Sequence, residues 1–478
     1  MTKQPNIFVS LLPIAILILL LTLIIPIFGS DALEGGSQIA LLTTSAICTF
    51  IGIVFYKKKW ADFENAIIKN ITGVSTALII LLIIGALSSI WMISGVVPTL
   101  IYYGIQVIHP NFFLASTCII CALVSVMTGS SWTTIATIGI ALMGIGRAQG
   151  FSDGWIAGAI ISGAYFGDKI SPLSDTTILA SSISETPLFQ HIRYMLITTV
   201  PSLILTLIIF GIAGFTQSVN DSNHIQSFIY ALENRFYISP WLLLVPFITA
   251  VMIARKIPSI ITLFLSTLLA LIFGILFQSN ILLEIANTIE ISSTKALFKG
   301  ALLTLYGNTQ IDASNEILAE LVATRGMAGM LNTVWLIICA MCFGGAMTAA
   351  SMIKSITTEF TNLIRNRLSL VSSTVGAGLF LNLSTADQYI SVILTSNMFK
   401  DIYKQMGYES RLLSRTTEDA VTVTSVLIPW NSCGMTHATI LSVPTIVYLP
   451  YCFFNYISPL MSICIAAIGY KIKKHVLK

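Results

Sequence analysis

The sequence predicts an all-α integral membrane protein with about ten transmembrane helices, two re-entrant hairpins and inverted-topology repeats built on broken helices. Three observations carry this. Apolar residues fill 55% of the 478 positions and charged residues only 10%, against roughly 25% charged in a soluble globular chain. Apolar stretches of the roughly 20 residues that a bilayer crossing needs recur along the whole chain. Four more stretches are apolar but interrupted by Gly, Pro and hydroxyl residues. Irregular backbone survives at membrane depth only where protein or a water-filled cavity covers it.

Plain spans are read at 7–28, 37–56, 71–96, 194–216, 237–254, 257–278, 331–353 and 444–470. The first is too long for a signal-peptide core and lacks a small-residue cleavage site, so it reads as a retained helix. The interrupted stretches at 111–146 and 369–399 read as hairpins, and those at 153–183 and 416–443 as broken helices. Two landmarks recur at similar spacing: Ser130 and Ser384 lie 254 apart, Pro172 and Pro429 257 apart. The chain then divides into two N-terminal helices (1–60), a first transport repeat (61–220), connecting helices with an external loop (221–325) and a second transport repeat (326–478).

Charge sets the orientation. The 25 Lys and Arg against 21 Asp and Glu give a net +4, concentrated in clusters such as Lys57, Lys58 and Lys59 and the tail Lys471, Lys473, Lys474 and Lys478. Such clusters orient a membrane protein and point away from a nucleic-acid partner. Lys3 and the Lys57 cluster put the N-terminus and second loop in the cytoplasm, with Asp31 and Glu34 outside. With 111–146 and 369–399 as hairpins, Lys354, Arg365, Arg367, Lys400, Lys404, Arg411 and Arg415 all fall on the cytoplasmic side. The expected location is a bacterial inner membrane, with both termini inside.

The residues that carry chemistry lie in the interruptions. Pro172 removes a backbone donor and clashes with the preceding turn, so the first broken helix opens there and frees carbonyls. Those carbonyls, with Ser171, Ser174, Thr176 and the carboxylates of Asp168 and Asp175, are hard oxygen ligands of the kind a small cation prefers. The half-helix that follows presents its positive N-terminus to the same place, where an anionic group is held equally well. One ionised Asp at the bilayer centre costs about 2.5 to 3.5 kcal/mol on insertion scales, so two so close call for a function; the plain alternative is an anchor pairing Asp168 with Lys169 or Arg193.

The first hairpin tip, Thr128 to Thr134, offers Ser130 and Thr133, and the second, Asn382 to Gln388, offers Ser384 and Asp387. In the second broken helix Asn431 and Ser432 stand where Ser174 and Asp175 stand in the first. Glu418 and Asp419 read either as site residues or as favourable first-turn acids, and His437 reads as a packing residue rather than a proton relay. Of the eight cysteines, Cys118–Cys121 and Cys339–Cys342 form two C-x-x-C pairs. A four-thiolate zinc site is conceivable, but both pairs sit in apolar sequence, which favours buried, inert thiols.

The run Thr128 to Thr134, the run Gly167 to Thr177 with its Asp-Lys-x-Ser-Pro-x-Ser-Asp core, and Pro429-Trp430-Asn431 with Cys433-Gly434 resemble the NhaC family of Na⁺/H⁺ antiporters, within the ion transporter superfamily. The resemblance spans nearly the whole chain. It implies exchange of Na⁺ for H⁺, with some relatives exchanging organic acids such as malate and lactate. The transported Na⁺ is then expected at Asp175 first, with Asp168 and Asp387 next, in competition with H⁺. The expected partners are these ions or a small organic acid, membrane lipid and, as an open assembly, a homodimer; no cofactor is expected. A membrane-embedded enzyme is disfavoured, since the chain has no H-E-x-x-H, no G-x-S-x-G and no paired acidic metal motif. A channel is disfavoured too, because nothing in the sequence suggests a symmetric filter.

Overall fold

Every regular element among the described residues is a helix. The structure is a computed structural model describing residues 5–28, 35–216, 222–287, 293–313 and 315–473. Lys3, Asp31, Glu34, Lys474 and Lys478, which entered the charge argument, lie outside the described residues. Eight helices are long and apolar enough to cross a membrane, and two further bent pairs pass the same test, giving up to ten.

Six of the plain spans are single continuous helices: Ile7–Phe28, Gly36–Tyr56, Trp60–Ile93, Leu188–Thr216, Ser259–Phe277 and Leu331–Ala349. Two are not. The stretch at 237–254 is the second limb of a pair bent by 91°, and the stretch at 444–470 is bent by 54°. Proline explains both bends. Pro240 opens a short 3₁₀ turn after Ser239, and Pro450 sits in the Leu449–Tyr451 turn before Phe453–Ile468; each lacks the N–H that would continue a helix and clashes with the turn before it.

The hairpin arms are longer than the sequence reading supposed, since Pro110–Thr128 and Arg367–Thr385 each have the length and composition of a span. What marks them as hairpins is the tip. Gly129 (φ 68°) and Ala386 (φ 58°) both take the left-handed conformation that reverses the chain, and each tip is followed at once by a new helix, Ser131–Thr134 and Gln388–Gln405.

One spacing runs through both halves. Gly129 and Ala386, Asp153 and Ser410, Asp175 and Ser432, and Leu188 and Thr445 each mark the same feature 257 residues apart, the spacing of Pro172 and Pro429. This corrects the pairing of Ser130 with Ser384: the counterpart of Ser130 is Asp387. Small residues bring hairpins and broken helices into backbone contact, as expected where lipid supplies no hydrophobic drive between helices. A Cβ on Gly163 would lie 2.2 Å from the Cys118 carbonyl, one on Gly167 2.4 Å from Val126 N, and one on Gly344 2.5 Å from the Thr385 carbonyl. The C-x-x-C pairs do not converge. Cys118 and Cys121 are buried in one apolar core and Cys339 in another, and no three metal-binding side chains cluster among the described residues.

Candidate ion site

Each hairpin tip closes on the break of the broken helix that follows it. In the first half the Asp153–Ile170 helix ends at Ser171, and the half-helix Asp175–Ile183 restarts four residues later. Gly129 lies against Leu173, where a Cβ would come within 2.6 Å of backbone. Ser171 fastens this loop to the hairpin, its hydroxyl donating to the Val126 carbonyl (2.8 Å) and accepting from Leu173 N (3.2 Å).

Asp168 is the centre of the junction. It is 6% exposed, and its Oδ2 accepts from the Ser131 hydroxyl (2.6 Å) and Ser131 N (3.2 Å). Its Oδ1 accepts from the Ser174 hydroxyl (2.6 Å), which lies 3.0 Å from the Thr176 hydroxyl. A carboxylate and three hydroxyls thus form one cluster. Hydroxyls rotate, so the groups that donate to Asp168 can offer lone pairs to a cation instead.

The second half repeats the junction with the carboxylate on the other side. Here the acid is at the tip: Asp387 is 1% exposed, caps Gln388–Gln405 by accepting from Ile390 N (2.9 Å), and accepts from the Ser432 hydroxyl on the break (3.0 Å). Ser432 N donates to the Ala386 carbonyl (2.8 Å). Asn431 caps Ser432–Leu441 through Cys433 N (3.1 Å) and donates to the Asn382 carbonyl (3.1 Å), while Asn382 reaches back to the Val421 carbonyl (2.8 Å).

Several expected ligands play other parts. The Ser130 hydroxyl caps its own turn at Thr133 N (3.2 Å), and Thr133 is buried behind the tip. The Ser384 hydroxyl bonds back to the Phe380 carbonyl (2.8 Å) and faces no junction. Ser131, Asn382 and Gln388 were missed, although all three stand in the quoted tips; aligning the halves at 257 would have found them, because Ser131 and Gln388 are then equivalent.

Asp175 is not held in the Asp168 cluster. It is exposed and makes no hydrogen bond to another described residue. With Pro172, Ile178, Ser182 and Glu185 it lines an exposed stripe on the half-helix. Two of the equivalent positions on the second half-helix are closed: Met435 is 1% exposed where Ile178 is 42%, and Ser432, the equivalent of Asp175, is 2% exposed, while Ser442, the equivalent of Glu185, is exposed. Two carboxylates and a serine on one stripe do not suit lipid and suit a water-filled crevice. At its end Lys400 donates to Glu185 (2.8 Å), which holds that carboxyl below the usual carboxylate range. Against the second half-helix lies instead a cavity of about 300 Å³ lined by Arg325, Asn332, Thr333, Met435 and Thr439.

The remaining acids are internal. Asp419 is paired with Lys169 and accepts from Thr198 (3.0 Å) and Ser458 (3.2 Å), and both partners of the pair are fully buried. This corrects two readings. Lys169 pairs with Asp419 and not with Asp168, and the acids are not first-turn residues, because the helix begins eight residues earlier at Ser410 and reaches them in a π segment, Glu418–Thr422. His437 is fully buried, its Nε2 bonded to the Tyr165 hydroxyl (3.0 Å) and its ring edge-on to Trp132, while its Nδ1 has no partner.

The chain matches the family model described as the Na+/H+ antiporter family over residues 163–470. It is 35% identical to the Na(+)/H(+) antiporter NhaC of Alkalihalophilus pseudofirmus, over 90% of each chain. It is 36% identical to the malate-2H(+)/Na(+)-lactate antiporter of Bacillus subtilis, over 88% of this chain and 87% of that one. With the arginine/ornithine antiporter ArcD of Halobacterium salinarum it shares 29% identity, over 98% and 93%. With two helix breaks and two hairpin tips closing on buried carboxylates, and relatives aligned along almost its full length, this multi-pass membrane protein belongs to the Na⁺/H⁺ antiporter family.

Proposed function

We propose that the protein exchanges Na⁺ for H⁺ across a bacterial inner membrane, with both termini in the cytoplasm and units 61–220 and 326–478 acting as inverted repeats. The observation that carries this is Asp168: a buried carboxylate that accepts from the hydroxyls of Ser131 and Ser174 beside a helix break, with the Thr176 hydroxyl against that of Ser174. That is an all-oxygen set for a small hard cation. Asp387, Asn431 and Ser432 form the matching junction of the second repeat. The half-helix N-terminus of the first repeat already holds the carboxylate of Asp175 at its positive end, which favours a cation over an anion there.

Ions reach Asp168 through the crevice lined by Asp175, Ser182 and Glu185, whose Lys400 mouth lies on the cytoplasmic side by the positive-inside bias. Reorientation is favourable only when the buried charge of the site stays balanced, so either a cation or a proton is carried in each direction. Na⁺ and H⁺ therefore exclude each other.

In everted vesicles with an acid interior, Na⁺ should dissipate the pH gradient, with an apparent affinity that weakens as pH falls. No response to Na⁺ would sink this reading. The cavity bearing Arg325, Asn332 and Thr333 supports a second one, in which a small carboxylate metabolite such as malate or lactate is the counter-substrate. A gradient dissipated only when malate or lactate is supplied would select it.

A further inference from the structure

The buried group formed by Lys169, Arg415, Glu418 and Asp419 has no part in the ion site described above. All four are fully buried. Lys169 bridges the two broken helices, donating to Asp419 and to the Ser458 hydroxyl (2.8 Å). Arg415 lies 3.7 Å from Asp419 and stacks 4.8 Å over the Tyr194 ring. Glu418 is unpartnered. Neither of its oxygens has a hydrogen-bond partner, nor has any side-chain nitrogen of Arg415 or the hydroxyl of Thr422, one turn on. A carboxylate can stay ionised in such a place only with a counter-charge or donors to hold it.

Charge counting then links Glu418 to the ion site. Lys169 and Arg415 against Asp419 leave one net positive charge, which ionised Asp168, next to Lys169 in the chain, balances while its site is empty. When a cation neutralises Asp168, the excess positive charge returns, and an ionised Glu418 restores the balance.

We propose that Glu418 is the proton-carrying group of the exchange, holding a proton while the Asp168 site is empty and releasing it to water when a cation binds there. This rests on the reading of Asp168 as the cation site. Mutual exclusion of the two ions then acts between two carboxylates and not at one. The elements packed against the Glu418–Thr422 segment carry these titratable and charged groups: Asp168 and Lys169 from Asp153–Ile170, Arg415 and Asp419 from its own stretch, and Asp175 from the half-helix beside it. His191 and Tyr194 come from Leu188–Thr216, Asp387 and Tyr403 from the second hairpin; Phe453–Ile468 contributes the Ser458 hydroxyl. The π segment that carries Glu418 is a backbone irregularity of the sort found at functional sites.

The test uses the purified full-length protein in weakly buffered detergent solution with a pH-indicating dye, NaCl as the probe and choline chloride as the control. The wild type should release about one proton per Na⁺ bound, its Na⁺ affinity falling about tenfold per pH unit on the acid side. Glu418→Gln should still bind Na⁺, more weakly and independently of pH, with release lost. Glu418→Asp should keep release with a displaced pH profile. Undiminished release from Glu418→Gln, or an unaltered profile in Glu418→Asp should the Gln variant not fold, would overturn the assignment. Asp168→Asn separates the two readings: Na⁺ binding that survives it removes the cation site, whereas proton release in the Glu418 variants is read independently.

Discussion

Ser130 and Asp387 hold the same position at the two hairpin tips, 257 residues apart, and each caps the helix that follows by accepting from the backbone N–H three residues on. The difference between them decides which side of each junction carries charge. In the first half the tip offers hydroxyls and the break offers Asp168; in the second the tip offers Asp387 and the break offers Ser432. A common architecture holds two acids, and neither has a carboxylate at its repeat-equivalent position.

Asp387 has two jobs, cap and charge, and substitution separates them. Asn is as good an N-cap as Asp, while Ala loses roughly 1 kcal/mol of helix stability. Asp387→Asn should therefore leave the thermal transition nearly unchanged and impair exchange at least tenfold, whereas Asp387→Ala should lower both. Fluorescence-detected thermal unfolding beside vesicle exchange reads the pair; full exchange in the Asn variant would confine Asp387 to capping.

Asp168 and Asp175 should differ in kind. Asp168→Asn removes the charge at the centre of the hydroxyl cluster and should abolish Na⁺-dependent exchange in protein that remains folded. Asp175→Asn removes only an exposed carboxylate on the way in, so it should weaken apparent Na⁺ affinity several-fold with maximal rate retained. Loss of all exchange in Asp175→Asn, with Asp168→Asn active, would move the site to Asp175.

The exposure of Ile178 on the first half-helix and the burial of its equivalent Met435 on the second make an accessibility prediction. Cysteines placed at Ile178 and Met435 on a cysteine-free background should label unequally. Ile178 should react from the Lys400 side without added ions. Equal labelling of both from one side would contradict the opposite orientation of the repeats.

The positions of the helices were legible in the sequence because long apolar runs have few alternatives in a bilayer, and the two helix breaks because Pro172 and Pro429 cannot continue a helix. The bends at Pro240 and Pro450 carried the same signal but stood at the edges of apolar runs, where a composition window hides them. Which oxygens meet at the site was less legible. Ser130 and Ser131 are adjacent and chemically alike, and only the left-handed turn at Gly129 decides that the first caps its own helix while the second reaches Asp168. Lys169 and Asp419 are 250 residues apart, and no local pattern announces a pair that forms only when two broken helices pack together.

That pair yields the last prediction. A fully buried ion pair contributes little over a well-packed apolar substitute, but removing one partner strands the other and costs about 3–5 kcal/mol. Lys169→Met and Asp419→Leu should therefore each destabilise the protein strongly, while the double variant should recover much of the loss, because no charge of the pair is left alone. The double variant keeps the net charge of the buried group, yet it loses one of the two buried cations that balance the Asp168 charge. Exchange should then stay at least tenfold below wild type at full fold stability. Thermal unfolding of the three variants, set beside vesicle exchange, tests both halves of the argument: additive destabilisation in the double variant would mean that the two residues do not act as a pair, and restored exchange would mean that their role is structural alone.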